Sequence, residues 1–404
     1  MDNTNLIRNI ISNNNDNIAF LIGNGIHYQF KDCELPWDEL LKKLWREYVD
    51  DRDALLGDMS LTEIYDIVEM SAIERHCEEE YKRLIEALKS PSSTEFKDTL
   101  GDPRKDLSRI VQNLAQKSSN TPFDNKKIDR EILEKFQKTN QEWVHFCREW
   151  CRSNIDGYES LTDEQCVNEL FSLLENSSKQ QIFRNSLKRE VAEMFPSKKI
   201  YKLAECISYI KGLNVPILTT NFDTYMSDSV GAKRFINNTE DQLYKFTDFY
   251  PWNVYYSNNK LNENILDNFG IWHINGMTDY PRSIRLGLSD YMGCVERARV
   301  MIQGNNLNEY FTGKRKSNWK GYNTWLHILF NKNLFIFGLA LEQNEVFLRW
   351  LLIQRAKYSR LYNLNLNGWY IGKGIPEGKR YFLEFLGFEV VELSNYNELY
   401  QALK

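Results

Sequence analysis

Residues 17–30 read NIAFLIGNGIHYQF. Ile18 to Ile22 form an unbroken apolar run, Gly23-Asn24-Gly25 interrupts it, and helical spacing takes over from about Trp37. A buried strand, a glycine-rich turn and a helix make the opening of a nucleotide-binding α/β unit. Glycine at 23 and 25 would let the chain turn tightly and approach a phosphate, with free N–H groups facing the anion. The third glycine of the dinucleotide fingerprint is missing, so this stretch predicts an α/β start and a candidate phosphate turn, and further segments have to specify the ligand.

Working outward, Pro36-Trp37-Asp38 opens a helix with Leu40, Leu41, Leu44, Trp45 and Val49 on one face. From about Arg52 to Lys211 the texture changes: Glu, Lys and Leu dominate and β-branched runs vanish. Helical patterns cover 61–89, 129–154, 162–177, 178–195 and 197–212, and 91–125 carries the loop signals. At Asn214 short apolar strands return, in VPILTTNFDTYM (215–226), FGIWHINGM (269–277), NLFIFG (333–338), GWYIGKG (368–374) and FEVVEL (388–393). Helices are expected near 295–304, near 323–330, after Gly338 and over 376–386, whereas 227–265 reads as irregular. The expected architecture is an α/β fold: a Rossmann-like, doubly wound parallel sheet from residues 1–51 and 212–404, with a large α-helical insertion at 52–211. Ligands of such sheets bind at the carboxyl ends of the strands.

The net charge of −5, from 51 basic and 56 acidic side chains, offers no general attraction to nucleic acid or to a membrane surface. The longest apolar runs, such as Leu334 to Leu341, are too short to span a bilayer, and the asparagine-rich start shows no signal-peptide pattern. The seven cysteines are scattered; Cys147 and Cys151 lie four apart but lack a second pair at zinc spacing. A cytoplasmic chain with free thiols and no metal is the expectation.

The chemistry-bearing residues cluster at strand ends: Gly23-Asn24-Gly25, Thr219-Thr220-Asn221-Phe222-Asp223, His273-Ile274-Asn275-Gly276 and Gly338. A parallel sheet would bring all four onto one rim. Asn221 and Asp223 also suit helix capping. His27 lies in the turn after the glycines, within reach of ligand or solvent, and Asp290-Tyr291 reads as structural, with ligand contact as the alternative. Glu342, Asn344 and Glu345 stand either as contacts to an adenosine ribose or as a helix start with acid at its positive end, and the helix start is the preferred reading. Lys314-Arg315-Lys316, with Lys320, reads as a solvated loop.

In this order, GNGI, TTNFD, WHINGM with SIRLGLSDYM, and IFGLALEQNEVFLRWLL resemble the sirtuin family, and more closely the bacterial sirtuin-like NAD-consuming proteins of anti-phage defence. The similarity covers about 1–50 and 214–393. It implies that Gly23, Asn24, Gly25, Thr220, Asn275 and Gly338 bind NAD and that Asn221, Asp223 and His273 are catalytic. Three departures stand out: the zinc cysteine pairs are missing, Asn275 rather than His precedes Gly276, and Glu342 stands where related chains often have Asp. The resemblance implies an NAD glycohydrolase that releases nicotinamide and ADP-ribose, with NAD as substrate and no zinc. It further implies antiviral NAD depletion, gated by homo-oligomer assembly or by a HerA-type hexameric ATPase. A non-catalytic NAD- or ADP-ribose-sensing subunit is the alternative, and a protein deacylase a more distant one.

The chemistry suits the residues. Nicotinamide leaves without protonation while positive charge builds on the ribose, so the site must position the ribose and a water and accept one proton. Asn221 would hold ribose or water, Asp223 would orient Asn221 or its loop, and His273 would contact a ribose hydroxyl and take the proton.

Overall fold

The computed structural model describes residues 3–29, 37–49, 56–72, 187–237, 250–261, 264–302, 319–343 and 345–404, with isolated positions 52, 148, 161–163 and 165–166. The helical patterns read at 129–154 and 162–177, the 91–125 loops, Cys147 and Cys151, Asn344 and Lys314-Arg315-Lys316 lie outside them, apart from those isolated positions. The chain divides into two compact units: Met1–Lys43 with Ala54–Asp66 and Val191–Lys404, and Leu44–Asp53 with Ile67–Glu190. The first unit therefore takes in 54–66 and 191–211, which the sequence pattern had grouped with the insertion.

In chain order the named elements are α1 (Asn3–Asn14), β1 (Ile18–Ile22), α2 (Gly25–Gln29), α3 (Trp37–Tyr48), α4 (Tyr201–Gly212), β2 (Ile217–Thr219), α5 (Tyr225–Ser229), β3 (Lys233–Ile236), β4 (Val254–Ser257) and β5 (Ile271–His273). They continue with α6 (Leu288–Ile302), α7 (Trp325–Asn331), β6 (Asn333–Phe337), α8 (Val346–Leu361), β7 (Gly368–Gly372), α9 (Glu377–Phe385), β8 (Glu389–Glu392) and α10 (Asn397–Ala402). The eight strands form one sheet in the order β3-β4-β5-β2-β1-β6-β7-β8. The six strands from β5 to β8 run parallel, and β3 and β4 add an antiparallel edge. The expected parallel sheet is thus present, extended by a pair of strands inside the stretch that read as irregular.

The apolar runs follow from burial on both faces. Ala19, Leu21, Leu218, Trp272, Leu334, Ile336 and Tyr370 belong to one core cluster with residues of α6, α7, α8 and α9. Phe20, Phe335 and Phe337 alternate with them and pack on one another, and Phe337 meets Tyr400 of α10. Within α8, Arg355 is 1% exposed. Its guanidinium donates to three backbone carbonyls, of Leu329 (3.1 Å), Lys332 (3.0 Å) and Asn367 (2.9 Å).

The chain winds from β1 outward through β2 to β5 and, on β1's other side, through β6 to β8. The direction reverses between β1 and β6, which opens a crevice at their carboxyl ends.

Candidate functional site

That crevice is the floor of a cleft of about 760 Å³ running across the ends of β2, β1, β6 and β7. The volume suits a nucleotide-sized ligand. Asn24, Gly25, Thr220 and Gly338 line it, together with Tyr291, Glu345 and Lys379.

The glycines have a first duty within the fold. Gly25 N–H donates to the Gly338 carbonyl at 2.6 Å, and Gly23 N–H to Phe337 at 3.1 Å. A Cβ on Gly25 would stand 2.8 Å from Gly338 Cα, and one on Gly23 2.5 Å from the Gly338 carbonyl oxygen. Gly338 itself has a φ of +64°. The two strand-end loops therefore lock backbone to backbone, which sets the height of the crevice floor. Gly25→Ala is expected to lower stability by about 1–3 kcal/mol, because backbone cannot yield as a side chain would. Thermal melting checks this, and an unchanged midpoint would remove the close contact as the reason for glycine.

The wall after β6 is held from outside. Tyr370 Oη donates to the Leu339 carbonyl (2.7 Å), Lys379 Nζ to that of Ala340, and Arg349 Nη1 to that of Leu341 (2.9 Å). Leu341 is left-handed, with a φ of +50°, a conformation that L residues adopt only when their surroundings impose it.

Asn221, Asp223, His273 and Asn275 are 1–4% exposed and, like Gly23, do not line the open cleft. The sheet nevertheless brings the first three together. Thr219 Oγ1 donates to the Ile22 carbonyl (2.9 Å) and accepts from Asn221 N–H (3.1 Å), pinning the turn after β2. His273 Nδ1 lies 2.6 Å from the Asn221 carbonyl oxygen. A carbonyl only accepts, so Nδ1 carries the proton and Nε2 holds a lone pair. Burial pushes the His273 pKa down, outweighing the Asn221 carbonyl and the carboxylates of Asp223 and Asp279, so the ring is neutral at neutral pH.

His27, which read as a turn residue, is 2% exposed and belongs to this cluster. Its Nε2 is 3.3 Å from Asn221 Nδ2 and 3.5 Å from Asp223 Oδ2. One ring nitrogen cannot accept from the amide and donate to the carboxylate together, so the His27 tautomer and the Asn221 amide orientation are coupled. Asp223 also does the local work expected of it, since its Oδ1 accepts from Tyr225 N–H (3.0 Å) at the start of α5. Among the described residues, His27 Nδ1, Asn221 Oδ1 and His273 Nε2 are buried without a hydrogen-bond partner. Three such atoms in contact-sharing residues are unusual, because buried polar atoms are normally paired. No sequence signal singles out His27 as buried, because the helix that carries it, Gly25–Gln29, is too short to show a period.

Asn275 lies elsewhere. Its carbonyl accepts from Arg285 N–H (2.9 Å), and its amide faces Glu345. Gly276 then turns with a φ of +92°, where a Cβ would stand 2.2 Å from the Ser283 carbonyl oxygen.

Among the described residues no helix is long and apolar enough to cross a membrane. No protein-family model matches the chain, and no curated protein matches its sequence.

Proposed function

We propose that the chain binds NAD in the cleft at the carboxyl ends of β2, β1, β6 and β7, and hydrolyses the nicotinamide–ribose bond. The supporting observation is the pair of unpartnered buried atoms, Asn221 Oδ1 and His273 Nε2, in residues joined by a 2.6 Å hydrogen bond and following Thr220 of the cleft wall. In this reading Asn221 Oδ1 holds the ribose or the attacking water. Water oxygen bonds to the anomeric carbon, nicotinamide departs with the electron pair of the broken bond, and the proton released from water passes to His273 Nε2. A positioned histidine supplies roughly 10²–10⁴-fold in such a role. On the resemblance alone, the proposal extends to NAD depletion in antiviral defence, gated by self-assembly or by a HerA-type ATPase.

The enclosure of Asn221, Asp223 and His273 favours a second reading, in which the chain binds the nucleotide and signals without cleaving it. Nicotinamide release from NAD by the purified chain, alone and with a partner ATPase, separates the two. Absence of release in both states, with NAD binding retained, rejects the hydrolase. Where release occurs, its pH profile carries a sign. His273 acts in its neutral form and its pKa lies below the ordinary 6.5, so turnover is flat above about pH 6.5 and falls only as pH drops through that depressed value. A profile that falls at its ordinary pKa or above excludes the buried His273 as the proton acceptor.

A further inference from the structure

His27 stands between two strand-end loops. Its helix, α2, opens at Gly25, whose N–H is locked to the Gly338 carbonyl after β6 (2.6 Å). Its ring reaches the turn after β2, where Nε2 lies 3.3 Å from Asn221 Nδ2 and 3.5 Å from Asp223 Oδ2. Tyr225 packs against the ring, with 5.5 Å between centroids, and the residue is 2% exposed, so the imidazole has little freedom to turn. The cleavage step described above leaves it without a duty.

Asn221 is the residue it can act on. A side-chain amide has two unlike ends of nearly equal size, so shape alone does not decide which end faces where. When Nδ2 donates to His27 Nε2, Oδ1 is turned away from the ring, and Oδ1 is the buried atom without a partner. If the amide turned over, Oδ1 would accept from the ring and an NH2 group would stand in its place. Only the first orientation offers an acceptor to a water that is about to lose a proton. The Asp223 carboxylate pulls the other way, towards a proton on Nε2. At 3.5 Å, however, it is at the limit of a hydrogen bond, and its Oδ1 already accepts from Tyr225 N–H (3.0 Å). An accepting Nε2 carries no proton, which places the proton on Nδ1, buried and without a partner among the described residues. A buried polar group left unsatisfied calls for a reason, and fixing the Asn221 amide supplies one. We propose that His27 is a positioning residue for cleavage: as its Nδ1-protonated tautomer it accepts from Asn221 Nδ2 and so presents Asn221 Oδ1 to the ribose and the water. This rests on the reading of Asn221 and His273 as the cleaving pair. His27 itself neither touches NAD nor takes the proton.

Glutamine at position 27 separates these roles. Its amide reaches the place of Nε2, with Oε1 to accept from Asn221 and Nε2 to donate to Asp223, but it takes up no proton in the assayed range. Nicotinamide release by the full chain, under whichever condition the parent is active, is measured as kcat/KM for NAD in the parent, His27→Phe, His27→Leu and His27→Gln. Thermal melting identifies the folded variants. The phenylalanine and leucine variants remove the acceptor and are expected to lose about tenfold or more, because a displaced group at the reacting centre is costly in rate. His27→Gln is expected to stay within about threefold of the parent and to leave the acid limb of the pH profile unmoved, since His273 still sets it. A smaller loss in a folded phenylalanine or leucine variant, a poorer recovery in His27→Gln, or a shifted acid limb there overturns the proposal. If neither His27→Phe nor His27→Leu folds, His27 is a structural residue and the proposal is likewise overturned. If the parent releases no nicotinamide under any condition, the hydrolase reading falls and this inference with it.

Discussion

Asn221→Ala is expected to lower NAD cleavage by at least ~10²–10³-fold, the range seen when one preorganised hydrogen-bonding group is removed from an active site. The variant is a clean one. The backbone N–H of Asn221 bonds Thr219 Oγ1 and its carbonyl bonds His273 Nδ1, and alanine keeps both. Only the amide is lost, whose Oδ1 has no partner and whose Nδ2 meets His27 alone among the described residues. The stability change is therefore expected to be small, because little bonding disappears and an unsatisfied buried oxygen goes with it. Nicotinamide release and thermal melting, measured on the same preparation, check both halves. Full turnover in the variant would take Asn221 out of the mechanism. A large loss of melting temperature would make it a structural residue instead.

The second large effect concerns the fold and is independent of any ligand. Arg355→Met is expected to cost on the order of 5 kcal/mol, a sizeable part of the 5–15 kcal/mol that holds typical domains folded. Burial lowers the Arg355 pKa to about 10, which still leaves the side chain charged at neutral pH. No carboxylate pairs with it among the described residues; its counterparts are three backbone carbonyls. Leu329 and Lys332 lie at the carboxyl end of α7, where the helix dipole favours a cation. Methionine relieves the burial of a charge but strands the carbonyl oxygens of Leu329 and Lys332 at about 1–3 kcal/mol each, while that of Asn367 keeps Leu334 N–H (3.3 Å), so the loss dominates. Arg355→Lys is expected to fall between the two, since one ammonium cannot reproduce the planar fork. A melting midpoint within about 2 °C of the parent for Arg355→Met would show that water or rearranged backbone satisfies those carbonyls.

The strands that could be read from sequence are those with both faces buried. Ile18–Ile22 and Asn333–Phe337 are buried at every position, and a continuous apolar run is the mark of that environment. Lys233–Ile236 escaped notice because its residues are mostly exposed and alternate weakly, as an edge strand's can. Its partner Val254–Ser257 sits within an aromatic-rich segment whose spacing favours no period. At the site, Thr220 and Gly338 were legible as strand ends. The pairing of His27 with Asp223 and of Glu345 with Asn275 was not, because each joins elements far apart in the chain. A helix as short as Gly25–Gln29 gives periodicity too few residues to declare an inward face. Glu345 follows the rule for acidic helix starts in sequence and breaks it in space, where burial lifts its pKa to about 7 and desolvation overrides the helix dipole.

The position of β1 has a consequence for how the protein is made. It emerges first among the strands, yet its neighbours are β2, roughly 200 residues later, and β6, roughly 300 residues later. At about 5–20 residues per second, the strand at the sheet's centre waits roughly 15–60 s for its second partner. Helix α1 waits longer, since Asn3 bonds Glu398 of α10. For that interval the ribosome carries an uncovered apolar β-segment, a ready template for association with other nascent chains. The strand order thus leaves Ile18–Ile22 without its second β-partner until the C-terminal third is translated.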